Sequence, residues 1–363
     1  MIAAMPPPNA LRLVLWIVLS ASLIGALFAH FEYQSPGAAA NDYAHGALLG
    51  GLTGGALSSL EIFVLRRGAG GPLRQAPFLV SLGLRSLYYL GVILFMEAAV
   101  NRLMPGANGE IAPVTRADIA FSLVLSLGYN LYFGVDALLG SGVLFAFIAG
   151  RYHRPRIEER ALLFIDMRSS TAIAERLGEA RFLDFLNAFI VDLSLAIAEA
   201  GGEIHKYVGD EIIATWRLAP GPNDAGCVRA CFSALDRLAA RGADYQREFG
   251  LGADFRAGLH CGPVAVGELG YLKKEIALIG NAMNTASRIQ QACRETGCRV
   301  LASAALLERL AALPPGVRRR ALGALPLRGK IQAIELYALE AESPRDSIGS
   351  PRPRDPSLAT RSS

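Results

Sequence analysis

Four long stretches with almost no charge, at about 11–31, 46–65, 77–100 and 119–150, occupy most of the first 150 residues of this 363-residue chain. Each reaches the about 20 residues that a helix needs to cross a hydrocarbon core about 30 Å thick. A helix apolar on all sides has no polar face to turn toward water, so these stretches predict a bundle of four transmembrane helices over 11–150. They also explain why 52% of the chain is hydrophobic and only 19% charged. From 151 to 340 the pattern changes to alternating apolar and charged residues, as in a soluble α/β chain.

Basic residues set the expected orientation. Arg66, Arg67 and Arg74 follow the second stretch, and Arg151, Arg154 and Arg156 follow the fourth, whereas the first loop has no lysine or arginine. Arg102 and Arg116 in the third loop are a weaker counter-signal. The positive-inside rule then predicts a multi-pass protein of the cell inner (plasma) membrane, with residues 1–10 and the soluble part both cytoplasmic. The first stretch is too long for a signal peptide and is not followed by an obvious exported domain. Glu61, Arg85, Glu97, Asn130 and Asp136 interrupt the apolar runs. Such groups either line a sensing pocket or pair inside the bundle.

The net charge of +4 forms no basic stripe, which excludes a nucleic-acid partner. The five cysteines lack CxxC pairs and fit reduced thiols in a cytoplasmic domain. Residues 151–160 read as a charged linker broken by Pro155, and 341–363, rich in Pro, Arg, Ser and Asp, as a disordered tail.

In the soluble part, an apolar strand ends at Asp166, and Ser169, Ser170 and Thr171 are placed to cap the helix that follows. A helical pattern covers 179–200. The stretch 203–216 then reads as a hairpin with its turn at Gly209-Asp210. Alone, that is ordinary hairpin grammar. A second helical stretch covers 225–249, and the glycine-punctuated run 255–270 suggests a strand pair or a backbone close to a ligand. A strand at 275–280 feeds a helix on which Asn284 and Arg288, four apart, share a face suited to a polyanion. Apolar stretches near 300 and at 334–339 complete the sheet.

This order predicts an α+β ferredoxin-like βαββαβ core over 161–340, an antiparallel sheet with helices on one face. In such a core the first strand and the hairpin are neighbours, so Asp166 and Asp210 converge. Two carboxylates at one place call for a cation, and all-oxygen ligation selects Mg²⁺ or Mn²⁺.

Three ordered motifs carry a resemblance to the class III nucleotide cyclase family over about 158–340. Phe164-Ile165-Asp166 with Ser170-Thr171 resembles its first metal-aspartate motif, Lys206-Tyr207-Val208-Gly209-Asp210 its second, and the segment from Gly280 through Asn284 to Arg288 its transition-state motif. The resemblance implies two metal ions per site on Asp166 and Asp210, with the Met167 carbonyl within reach. One ion would activate the ribose 3′-hydroxyl and the other would bind the β and γ phosphates. It implies that Asn284 orients the ribose and Arg288 neutralises the α-phosphate. Lys206 matches the purine-contacting position, where lysine indicates ATP, and Lys330 or Arg328 resembles the triphosphate-binding loop. Ala277 falls where the family places a second base-reading residue, and a methyl group cannot fill that role.

The resemblance therefore implies a membrane-anchored adenylate cyclase that makes 3′,5′-cyclic AMP and pyrophosphate from ATP. Its sites would form between two copies of the chain, a homodimer assembled through the cyclase domain and the membrane helices. A guanylate cyclase, or a membrane receptor with an inactive nucleotide-binding domain, are the alternatives.

Overall fold

The computed structural model describes residues 10–32, 40–60, 78–103, 116–139, 150, 152–272, 274–327 and 333–342. They fall into two compact units, Met1–His153 and Arg154–Ser363. The tail beyond 342 and the loop with Arg328 and Lys330 lie outside the described residues, as does Glu61.

Among the described residues the first unit contains four long helices: α1 (Ala10–Glu32), α2 (Ala40–Leu60), α3 (Phe78–Leu103) and α4 (Arg116–Leu139). Glycines let α1 and α2 pack backbone to backbone, since a Cβ on Gly25 would sit 2.1 Å from the Gly46 carbonyl oxygen. The polarity of this unit is inverted. Leu11, Leu15, Trp16, Leu19 and Leu23 are exposed along α1, while Ser58, Glu97, Ser126 and Asn130 are buried. Ser58 donates to the Gly54 carbonyl of its own helix, whereas Asn130 and Ser126 are bonded across helices. Asn130 Nδ2 donates to the Leu82 carbonyl and to Ser86 Oγ, both at 2.9 Å, and Ser126 Oγ donates to the Ser86 carbonyl at 2.8 Å.

Among the described residues one helix, Leu82–Leu103, is long and apolar enough to cross a membrane, and Val14–His30 and Ile119–Tyr132 are shorter apolar helices. Four helices are thus present where four spans are expected, but only one meets the criterion of a span. The second is diluted by Gly46, Gly50, Gly51, Gly54 and Gly55 and by Thr53, Ser58 and Ser59.

The second unit begins with β1 (Arg156–Met167), which starts inside the segment read from sequence as a linker. Next come α5 (Ser170–Leu177), α6 (Glu179–Glu199), β2 (Glu203–Val208), β3 (Glu211–Arg217), α7 (Gly226–Ala240) and α8 (Gly242–Phe249). The chain continues with β4 (Phe255–Leu269), β5 (Glu275–Ile279), α9 (Asn281–Thr296), β6 (Val300–Ser303), α10 (Ala304–Leu307), β7 (Val317–Leu325) and β8 (Ile334–Ala341).

The strands form one sheet in the order β2-β3-β1-β4-β6-β8-β7, with β5 paired to β4. The expected βαββαβ order is present, but the sheet is mixed rather than antiparallel, because β4 and β6 run parallel. Helices also cover both faces, not one. Val300, Ala302 and Leu339 pack in the cluster with Phe185, Phe189 and Leu193 of α6 and with Cys227 and Cys231 of α7, whereas Leu301, Leu336 and Ala338 pack with Ile289 and Cys293 of α9. Alternate residues of a strand point to opposite faces, so strands covered twice are apolar throughout, as Ala161 to Ile165 of β1 are. The glycine-rich run is one strand, β4, not a strand pair. Gly258 is required because a Cβ there would meet the Gln290 backbone nitrogen at 2.3 Å.

Candidate active site

Asp166 lies half-buried near the end of β1, between the buried Ile165 and Met167, two residues beyond Phe164 and so on the same face of the sheet. That is the face covered by α9. On the neighbouring strand Phe164 is opposite Ile213, and Asp166 is opposite Glu211. Asp210 occupies the turn immediately before Glu211, and Gly209 supplies the positive φ of 62° that a two-residue hairpin turn favours at its first central position. The register therefore brings the ends of the first two motifs together, with one acidic residue more than the sequence reading assigned. Glu211 stood in the hairpin motif, but only the strand pairing reveals that it faces Asp166.

The electrostatics register that crowding. Partial burial, then the charges of Asp166 and Asp210, push the Glu211 carboxyl up to about 7. Arg294, at the end of α9, sets its guanidinium 3.2 Å from Asp166 as a counter-ion. No group of three or more His, Cys, Asp or Glu side chains is arranged to ligate a metal among the described residues. Even so, the donor set is all carboxylate, carries excess negative charge and already draws a cation, which fits a hard divalent ion.

The expected cap at the start of α5 differs. Ser169 is the N-cap but adopts a left-handed conformation with φ 58°, and its hydroxyl makes no capping hydrogen bond.

Lys206 reaches the site face through an irregularity of β2. Ile204 pairs with Ala214 and Lys206 with Ile213, so His205 is an extra residue in a β-bulge. In a regular strand Lys206 would share the face of Ile204, which packs against the α6 and α7 core. The bulge instead places it in one row with Ile213 and Phe164, the face of Asp166. There its Nζ lies 3.2 Å from both carboxylate oxygens of Glu275. Burial and the adjacent Lys206 charge hold His205 below the ordinary histidine value.

Ala277 is half-buried on β5, opposite Gly267, and brings no polar group, as the sequence reading expects. Asn284 is exposed on the first turn of α9 and Arg288 is half-buried one turn later. No hydrogen bond or ion pair among the described residues joins either to Asp166 or Asp210. Lys330 is outside the described residues.

Comparison with known proteins adds a family. A model of the "Adenylate and Guanylate cyclase catalytic domain" matches residues 152–341. The chain is 36% identical over 258 residues to "Adenylate cyclase 2" of Rhizobium meliloti, covering 71% of this chain and 68% of that protein. That alignment is longer than the second compact unit and so reaches back into the helical one. It is 30% identical over 184 residues to an adenylate cyclase of Anabaena cylindrica, covering 50% of this chain but only 36% of that protein. Among solved structures, a bacterial light-regulated adenylyl cyclase superposes with a TM-score of 0.53 at 20% identity, covering 64% of this chain and 67% of that one. That likeness concerns the fold alone.

Proposed function

The chain belongs to the adenylate and guanylate cyclase catalytic domain family, and from that premise we propose that it is a membrane-anchored adenylate cyclase. The reaction is formation of a bond between the ribose 3′-oxygen and the α-phosphorus of ATP. The bond from that phosphorus to the β-phosphate oxygen breaks, pyrophosphate leaves with the electron pair, and the 3′-hydroxyl loses its proton. The observation that carries this reading is the register that sets Asp166 opposite Glu211, next to Asp210.

Asp166 and Asp210 are the residues that would hold Mg²⁺ or Mn²⁺, two ions per site. When bound, such ions supply positive charge to the triphosphate and make the ribose hydroxyl more acidic. The remaining roles belong to the chain itself. Arg288 neutralises charge on the α-phosphate through its forked donors, Asn284 orients the ribose, Lys206 donates to adenine N1, and Lys330 binds the triphosphate.

Among the described residues Asn284 and Arg288 make no polar contact with Asp166 or Asp210, which supports composite sites shared by two copies. The inverted polarity of the helical unit supports burial in a lipid bilayer, with α3 as its strongest span. With the arginine-rich loops inside, the catalytic unit lies in the cytoplasm, at the inner (plasma) membrane.

Detergent-purified full chain supplied with Mn²⁺ and ATP should release cyclic AMP, and Asp210→Ala should abolish release. Full activity in that variant would sink the assignment.

A further inference from the structure

The base-reading position at Ala277 is empty of polar atoms, yet the purine-contacting Lys206 is not without a neighbour that can accept a hydrogen bond. Glu275 lies two residues before Ala277 on β5, so both side chains leave the same face of the strand. Its carboxylate straddles the Lys206 ammonium, 3.2 Å from each oxygen, across 69 residues of sequence. Lys206 can meet it only because the His205 bulge turns the lysine out of the α6 and α7 core. Both partners remain open to solvent, with 48% of the lysine and 41% of the glutamate side chain exposed. An exposed pair of this kind contributes about 0–1 kcal/mol to stability and leaves both heads free to meet a ligand.

We propose that Glu275 is a specificity-determining residue, the acceptor for the 6-amino group of adenine, working beside Lys206 as donor to N1. This rests on the cyclase reading of the site. The chemistry is one of pattern. Adenine presents an acceptor, N1, next to a donor, the 6-amino group, and an ammonium beside a carboxylate is the complementary pair. Guanine, seated the same way, presents N1–H to the ammonium and O6 to the carboxylate, two repulsive contacts. Specificity then comes from rejection as much as from attraction. β5 thus supplies with Glu275 what Ala277 lacks.

The test uses the full chain with Mn²⁺, comparing kcat/KM for ATP and GTP in the wild type, Glu275→Ala, Glu275→Gln and Glu275→Asp. The ATP-over-GTP ratio should fall roughly 10- to 100-fold in Glu275→Ala, the effect of losing one charge-assisted hydrogen bond. It should fall less in Glu275→Gln, whose amide serves either base, and be largely restored in Glu275→Asp. GTP turnover should rise in Glu275→Ala and Glu275→Gln, where the repulsion of O6 is gone, while the unfolding temperature holds in all three, a split that a merely structural role would not produce. A ratio within twofold of wild type in Glu275→Ala overturns the proposal, as does a wild type that prefers GTP. A wild type that cyclises neither nucleotide overturns the cyclase reading instead. Glu275 is then judged on the same ratio of ATP to GTP dissociation constants, with the same thresholds.

Discussion

Asp166 and Glu211 face each other across the β1 and β3 pair, and this places a third carboxyl beside the two aspartates of the hairpin site. The Glu211 carboxyl titrates near 7 in the fold, against 4.5 when unperturbed. A raised carboxyl is harmless below about 4.5, where folded and unfolded chains both carry the proton. Stability is lost as pH rises through about 7, where the folded protein must ionise it. In EDTA, Glu211→Gln should therefore stabilise the protein at pH 8 by on the order of 1 kcal/mol, reduced from full linkage because the group is partly open to water. The gain should vanish at pH 4.5. Thermal unfolding at the two pH values checks this.

Arg294 competes with any divalent cation for Asp166, because its guanidinium lies 3.2 Å from that carboxylate while remaining 66% exposed. An exposed ion pair is weak, so Arg294→Ala should tighten Mn²⁺ binding by only about 2- to 5-fold. Titration followed by the paramagnetic signal of free Mn²⁺ measures this directly, without turnover.

Gly258 keeps α9, and with it Asn284 and Arg288, seated on β4. A methyl group there would press on the backbone of Gln290 and on the Ala286 carbonyl oxygen at 2.7 Å, neither of which can rotate away. Gly258→Ala should destabilise the catalytic unit by about 3 kcal/mol and reduce turnover more than nucleotide binding. Chemical denaturation and steady-state kinetics separate the two effects.

Asp192 anchors α6 to the helices beside it. Buried on α6, it accepts two contacts from Arg241 Nη1 at 2.8 and 2.9 Å and one from the Tyr245 hydroxyl at 2.8 Å. Asp192→Ala strands the buried Tyr245 hydroxyl, while Arg241, part-exposed, keeps Asp244 as a partner, so the change should cost about 2 kcal/mol. Since the site lies on the opposite face of the sheet, the surviving folded fraction should bind nucleotide as wild type does, as equilibrium dialysis would show.

The elements legible in advance were those whose signal is local. Periodicity marked α6, the turn residues Gly209 and Asp210 marked the hairpin, and spacing put Asn284 and Arg288 on one helix face. β7 escaped notice because its run Arg318-Arg319-Arg320 reads as surface, and only pairing with β8 makes it a strand. The glycines of β4 suggested turns because a close approach by α9 leaves no mark on neighbouring residues. The same holds for the β4 and β6 pairing, which decided that the sheet is mixed.

By itself, the sequence determined the residue types of the site, the order of its motifs and the segregation of apolar helices from the catalytic unit. Those are properties of composition and short-range spacing. Tertiary structure alone decided which groups meet: Glu211 with Asp166 by strand register, Lys206 with Glu275 by a single extra residue, and Arg294 with Asp166 across 128 positions. The physical reason is the alternation of side chains along a strand. A shift of one residue moves a charge from one face of the sheet to the other, and long-range pairing, not local propensity, sets that shift.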